Sequence, residues 1–166
     1  MQILPETDVA QLFHRLVEEQ VPGRRGLAAW RSMLRAHATL MRRLDTDLEQ
    51  ETGLALADFD VLAQLAEAHG TLRMTELADR ALISRSGMSR RVARLAAEGL
   101  LRRDRAGTDG RGVVVALTQA GITRLAETAP VHARGISTLF VAQLDDQELA
   151  LLERALNKVI VDCSFG

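Results

Sequence analysis

The chain has 166 residues, 47 % apolar and 26 % charged, with a formal net charge of −1, which is about one domain's worth of length and enough apolar content for a buried core. It contains no run of about 18 apolar residues, so no membrane-spanning helix is expected, and its single cysteine excludes an internal disulfide. The acidic start MQILPETDVA lacks the apolar stretch of a secretory signal, which points to a cytoplasmic protein.

The first predicted element is a helix over 7–20 with Val9, Leu12, Phe13, Leu16 and Val17 on one face, ended by Pro22-Gly23. A long helix over 24–52 follows, with Leu27, Trp30, Leu34, Met41, Leu44 and Leu48 on a broad apolar face and Gly53 as its stop. A third helix over 57–69 carries Phe59, Leu62, Leu65 and Ala66 and stops at Gly70, and a two-residue strand is expected near Thr71 and Leu72.

The stretch from Arg73 to Thr118 reads as helix, turn, helix and two-stranded hairpin, a winged helix-turn-helix that binds double-stranded DNA. Its first helix is expected over 75–80 with Thr75 as N-cap, and Leu77, Ala78 and Leu82 would pack on Met88 and Val92. Ser84 is a good N-cap for the second helix, and Gly99 sits where a helix favours a left-handed residue, which leaves 85–98 helical. Met88, Val92 and Leu95 mark the buried stripe. At about 100° per residue, Ser86, Arg90, Ala93 and Ala97 point the opposite way, flanked by Ser89 and Arg94. A small, hydroxylated, cationic face enters a major groove and hydrogen-bonds base edges or phosphates. Ser86, Ser89, Arg90 and Arg94 are thus expected to read the major groove, with Ser84 and Thr75 on phosphates. Arg91 lies beside the apolar stripe and should point along the protein.

Strands over 100–105 and 112–117 flank a glycine-rich tip at 106–111. Arg105 and Arg111 suit a minor groove or the backbone, and Asp109 is placed to orient Arg111. Thr118 caps a helix expected to reach about Leu144 with a bend at Pro130, and Asp145 with Glu148 opens a last helix to about Val161. These C-terminal helices are more apolar than a monomer needs, either as an intramolecular core or as a dimer interface interleaving both termini. From Ser84 to Arg111, eight arginines stand against three acids, so this segment carries +5 and the remainder −6. A basic patch on an acidic body is an electrostatic footprint for a polyanion.

Together, MTELADRALISRSGMSRRVARLAAEGLLRR and TDGRGVVVALTQAG resemble the MarR (multiple-antibiotic-resistance regulator) family of bacterial regulators. The resemblance rests on the serine-rich helix start, Arg94-Leu95…Gly99-Leu100, Asp109…Arg111 and Leu117-Thr118…Gly121, and the flanking helices fall in the expected order. It implies a mainly α fold in which 57–118 form the winged helix-turn-helix. Residues 1–56 and 119–166 would then form an α-helical dimerisation region built from the N- and C-terminal helices. The function implied is that of a homodimeric, ligand-responsive transcription regulator, usually a repressor, on a pseudo-palindromic promoter site. The alternative is a winged-helix protein-interaction or architectural module without an effector.

The family's small-molecule pocket lies between the dimerisation helices and the DNA lobe. Its urate-responsive branch is similar at Asp60, Arg91 and Arg103, which form either a structural salt bridge or a link between an anionic or aromatic effector and the DNA-reading helix. That branch's tryptophan lies on an extra N-terminal helix, whereas Trp30 is on the following one, so the match there is incomplete. The histidines at 14, 37, 69 and 132 are scattered and do not pair with Cys163, so no metal site is expected. There is no nucleophile–base spacing, P-loop or GxGxxG, so neither a cofactor nor an enzymatic activity is expected.

Overall fold

The computed structural model describes residues 6–21, 23–81, 83–105 and 112–164. Its elements are α1 (Glu6–Gln20), α2 (Arg24–Thr52), α3 (Leu56–Glu67), β1 (Thr71–Arg73), α4 (Met74–Arg80), α5 (Arg85–Ala97), β2 (Leu101–Arg105), β3 (Val113–Leu117), α6 (Gln119–Leu139), a 3₁₀ turn (Val141–Gln143) and α7 (Asp146–Ser164). The chain divides into two compact units, one ending at Met41 and one beginning at Arg42, inside α2. In the first unit, α1 presents Val9, Leu12, Phe13 and Leu16 to solvent along one face, at helical spacing. Trp30, Met33 and Leu34 are likewise exposed on α2.

The second unit holds the winged helix-turn-helix, a mainly α lobe with a three-stranded antiparallel sheet in the order β1-β3-β2. The central strand pairs Val115 with Leu72 on one side and with Arg103 on the other. One core joins Leu48 of α2, Leu62 and Leu65 of α3, Leu77 of α4, Met88, Val92 and Leu95 of α5, Leu101 of β2 and Val115 of β3. A tight turn at His69 and Gly70, both with positive φ, reverses the chain from α3 into β1.

The helix ends explain the motifs. Ser84 caps α5 by accepting from the Gly87 N–H at 3.2 Å. At the other end the Leu100 N–H donates to the Leu95 carbonyl at 2.9 Å and the Gly99 N–H to that of Ala96 at 3.0 Å. This double closure needs a left-handed residue at Gly99, whose φ is +76°. The Thr118 hydroxyl accepts from the Gly121 N–H at 3.0 Å and donates to the Gly99 and Leu100 carbonyls at 2.7 and 3.0 Å. A Cβ on Gly121 would lie 2.1 Å from the Leu100 carbonyl oxygen, so only glycine lets α6 start this close to the α5–β2 junction. The Leu-Thr-x-x-Gly motif is thus a clamp tying α6 to the wing. Asp145 and Glu148 exchange side-chain-to-backbone hydrogen bonds of 2.8 and 3.0 Å at the start of α7, as the capping-box spacing predicts.

Several boundaries differ from expectation, most by one to three residues, and two of the differences have an identifiable local cause. Helix α4 starts at Met74 with Arg73 as its N-cap, because the Glu76 carboxylate accepts from the Arg73 N–H at 3.1 Å; Thr75 is therefore an exposed first-turn residue rather than the cap. Helix α6 runs through Pro130 but ends at Leu139 instead of continuing to Leu144. Phe140 leaves helical geometry at φ −124° and ψ −62°, and the Gln143 side-chain amide donates to the released Thr138 carbonyl at 3.1 Å. In the single chain Ile136, Val141, Leu156 and Val159 are exposed rather than packed into a core.

Candidate nucleic-acid interface

The candidate interface is the outer face of α5. Its buried stripe, Met88, Val92 and Leu95, is completely covered, which fixes the helix's rotation. Ser84, Arg85, Ser86, Ser89, Arg90, Ala93 and Ala97 are exposed. The Ser84 and Ser86 hydroxyls lie 3.4 Å apart beside the helix N-terminus. The first turn of α5 has no acidic side chain, so its positive dipole end is available to a phosphate. Among the described residues Arg90 makes no ion pair or side-chain hydrogen bond, and its guanidinium projects from the middle of this face. Thr75, exposed on the neighbouring α4, presents a second hydroxyl.

The other two arginines of α5 are held by the protein. Asp58, in the first turn of α3, is buried, and one of its carboxylate oxygens accepts from Arg91 Nη1 at 2.6 Å and from Arg94 Nη2 at 2.5 Å. Arg94 Nη1 also donates to Glu98 at 3.0 Å. The hydrogen bond to Asp58, aided by its charge, raises the Arg94 pKa further, against the opposing effect of burial. Arg94 thus sits on the flank of α5 that faces α3, not on the expected base-reading face.

This corrects the expected Asp60–Arg91–Arg103 group. Arg91 points along the protein as expected, but the acid that receives it is Asp58. The register of α3 explains why: Asp58, Leu62 and Leu65 are spaced i, i+4, i+7 and are all buried, while Asp60 lies about 200° around the helix and is half-buried. Among the described residues neither Asp60 nor Arg103 forms an ion pair. Asp60 instead acts electrostatically on His132 of α6, whose pKa is lowered by burial and partly restored by that carboxylate. Asp58 is the residue that the sequence reading missed; its phase with Leu62 and Leu65 was the available signal.

The wing supplies β2 and β3, with Arg103 paired to Val115 and Arg105 to Val113 in backbone register. The Arg102 guanidinium donates to Asp104 at 2.8 Å. Asp109 and Arg111 lie outside the described residues, and Arg105 is described through its backbone alone. Trp30 is exposed on α2 in the other unit. Among the described residues no cluster of His, Cys, Asp or Glu is placed to hold a metal ion, and no helix is long and apolar enough to cross a membrane.

Residues 52–112 match the model of the MarR family. The chain is 33 % identical to Sco3205, a MarR family transcriptional regulator from Streptomyces coelicolor solved in complex with DNA. The two superpose with a TM-score of 0.77 over 84 % of this chain and 92 % of that one. AbsC, another MarR family transcriptional regulator from Streptomyces coelicolor, is 28 % identical with a TM-score of 0.80, covering 88 % and 99 % of the two chains. An uncharacterized HTH-type transcriptional regulator of Bacillus cereus is 27 % identical over 81 % of this chain and 88 % of its own length.

Proposed function

The chain belongs to the MarR family of DNA-binding transcription regulators, and from that premise we propose that it acts as a homodimeric repressor occupying a pseudo-palindromic promoter site. The observation that carries the reading is the outer face of α5: exposed, hydroxylated and cationic, with Arg91 and Arg94 neutralised from within. Ser86, Ser89 and Arg90 read base edges in the major groove. Ser84 and Thr75 hold phosphates, and Arg105 and Arg111 reach the minor groove or backbone, with Asp109 orienting Arg111. Residues 57–118 form the DNA-binding part, and 1–56 with 119–166 the dimerisation part. The exposed apolar faces of α1 and α7 support the dimer, because such patches on a soluble chain mark an interaction surface. A palindrome also requires two reading helices about 34 Å apart. An anionic or aromatic effector that competes with Asp58 for Arg91 would act through α5.

The test is a salt-dependent titration against the protein's own upstream promoter duplex and a scrambled duplex, with footprinting and sedimentation. The expected result is strong preference for the promoter, protection in two symmetric halves and a dimer mass. Equal, salt-sensitive binding to both duplexes would replace the repressor with an architectural binder. A monomer mass at working concentration would remove the dimer.

A further inference from the structure

We propose that Asp58 and Glu98 form a charge clamp that keeps Arg94 out of the DNA contact set, and that this clamp limits how tightly α5 holds non-target duplex. The inference rests on reading α5 as the groove helix and adds a restraint built into the same site.

The geometry separates the two arginines that share Asp58. Arg91 has a side chain only 28 % exposed and lies beside the core stripe, so its pairing is part of the α3–α5 packing. The Arg94 side chain is 49 % exposed, long enough to swing outward, and two positions of its fork are already occupied. Asp58 cannot follow it, since that side chain is buried in the first turn of α3 next to Phe59, and Leu62 is buried one turn on. A phosphate that recruited Arg94 would have to replace charge-assisted bonds of 2.5 and 3.0 Å.

Glu98 supports the same conclusion independently. It is the C-cap residue of α5, where the helix dipole disfavours an acid. Its i,i+4 ion pair with the Arg94 guanidinium one turn back offsets that cost, which ties the role of Glu98 to Arg94. Its negative charge stands at the end of a face otherwise built to attract phosphate. A lysine or arginine on phosphate contributes about 0.9 to the salt slope and binds any sequence alike. Withholding Arg94 therefore trims the sequence-independent part of the affinity and leaves base reading to Arg90 and the serines, which raises the ratio of target to non-target binding.

The experiment measures affinity against salt for the full chain on the promoter duplex and on a scrambled duplex. Arg94→Ala is expected to leave the slope unchanged on both duplexes. Glu98→Gln and Asp58→Asn are expected to steepen it, Asp58→Asn by about 1 on the scrambled duplex, with roughly three- to tenfold tighter non-target binding at low salt. The double variant Asp58→Asn/Arg94→Ala should return to the wild-type slope, which a merely structural role for Asp58 would not produce. Glu98→Gln, at the exposed helix end, tests the clamp even where Asp58→Asn impairs folding. A slope lowered by about 1 in Arg94→Ala would overturn the proposal, because Arg94 would then already hold a phosphate. A Glu98→Gln slope equal to wild type would overturn it as well. Arg90→Ala tells the two failures apart: weakened binding there with an Arg94 effect removes the clamp alone, whereas unchanged binding in Arg90→Ala removes α5 from the groove and the clamp with it.

Discussion

Helices α5 and α7 carry the same apolar pattern and meet different fates. In α5 the residues at i, i+4 and i+7 are Met88, Val92 and Leu95, and all three are fully buried. In α7 the corresponding set is Leu152, Leu156 and Val159; Leu152 is half-buried, Leu156 is 36 % exposed and Val159 55 % exposed. The stripe states which side of a helix is apolar but not what covers it. Around α5 the cover comes from within the chain, from α3, α4, β2 and β3. On α7 Leu156 and Val159 are exposed among the described residues, and the dimer proposed above would supply their cover.

The largest effect expected from this difference is on stability. Leu95→Ala opens a cavity in a closed core and should cost about 2–5 kcal/mol, whatever the protein concentration. Leu156→Ala removes a similar volume from an exposed stripe, so in a monomer it should cost a small fraction of that. In the dimer it should lower the melting temperature at high concentration and lose its effect on dilution, because subunit association contributes to stability by mass action. Thermal melts of both variants across a hundredfold dilution series check this. A concentration-independent loss in Leu156→Ala would mean that α7 is covered by its own chain and would erase the contrast.

The elements were legible where local chemistry decides them. The bounds of α2, the Ser84 cap, the Gly99 closure, the Thr118 cap and the Asp145–Glu148 box are set by residues next to the ends they close, and the structure has each as read. What local chemistry does not decide was read less well. The early end of α6 depends on Phe140 and on a side-chain amide three residues later. The start of α4 depends on an acid two residues inside the helix reaching back to Arg73. The α3 pairing failed for a different reason. Asp58 and Asp60 are the same residue type two positions apart near the start of α3, and their rotation relative to Leu62 separates the buried acid from the half-buried one. The placement of Arg94 came from its rotation on α5 alone, which carries no sign of the acid 36 residues earlier that holds its guanidinium.

Within α5 the covered stripe and the bare face can be set against each other at the level of binding, where the effect is smaller. Arg90→Ala leaves the core untouched and should cost about 1–3 kcal/mol in promoter affinity, with relaxed preference at one base position in each half-site. Arg111→Ala in the wing should weaken promoter and scrambled duplex alike and lower the salt slope by about 1. A selection of bound sequences from a randomised half-site, read for each variant, distinguishes the two. Equal loss on every sequence for Arg90→Ala would make it a phosphate contact, and base reading would then fall to Ser86 and Ser89.

The smallest effect concerns how buried polar groups on α6 are satisfied. Thr128 is fully buried, but its hydroxyl donates to the Arg124 and Leu125 carbonyls, so it titrates nothing and wants nothing. One turn later His132 stands 4.6 Å from the Phe59 ring with its Nδ1 buried and without a partner among the described residues. Burial lowers its pKa and the Asp60 carboxylate works against that shift. A histidine whose folded pKa is depressed contributes stability that is present above its unfolded value, about 6.5, and is lost as the pH falls through the folded one. The melting temperature should therefore decline slightly more between pH 7.5 and 5.5 in the wild type than in His132→Gln, which has no imidazole to protonate. Asp60→Asn should steepen the decline, because it removes the charge that favours the protonated ring. A steeper acid loss in His132→Gln than in the wild type would reverse the sign and require a carboxylate closer to Nδ1 than Asp60.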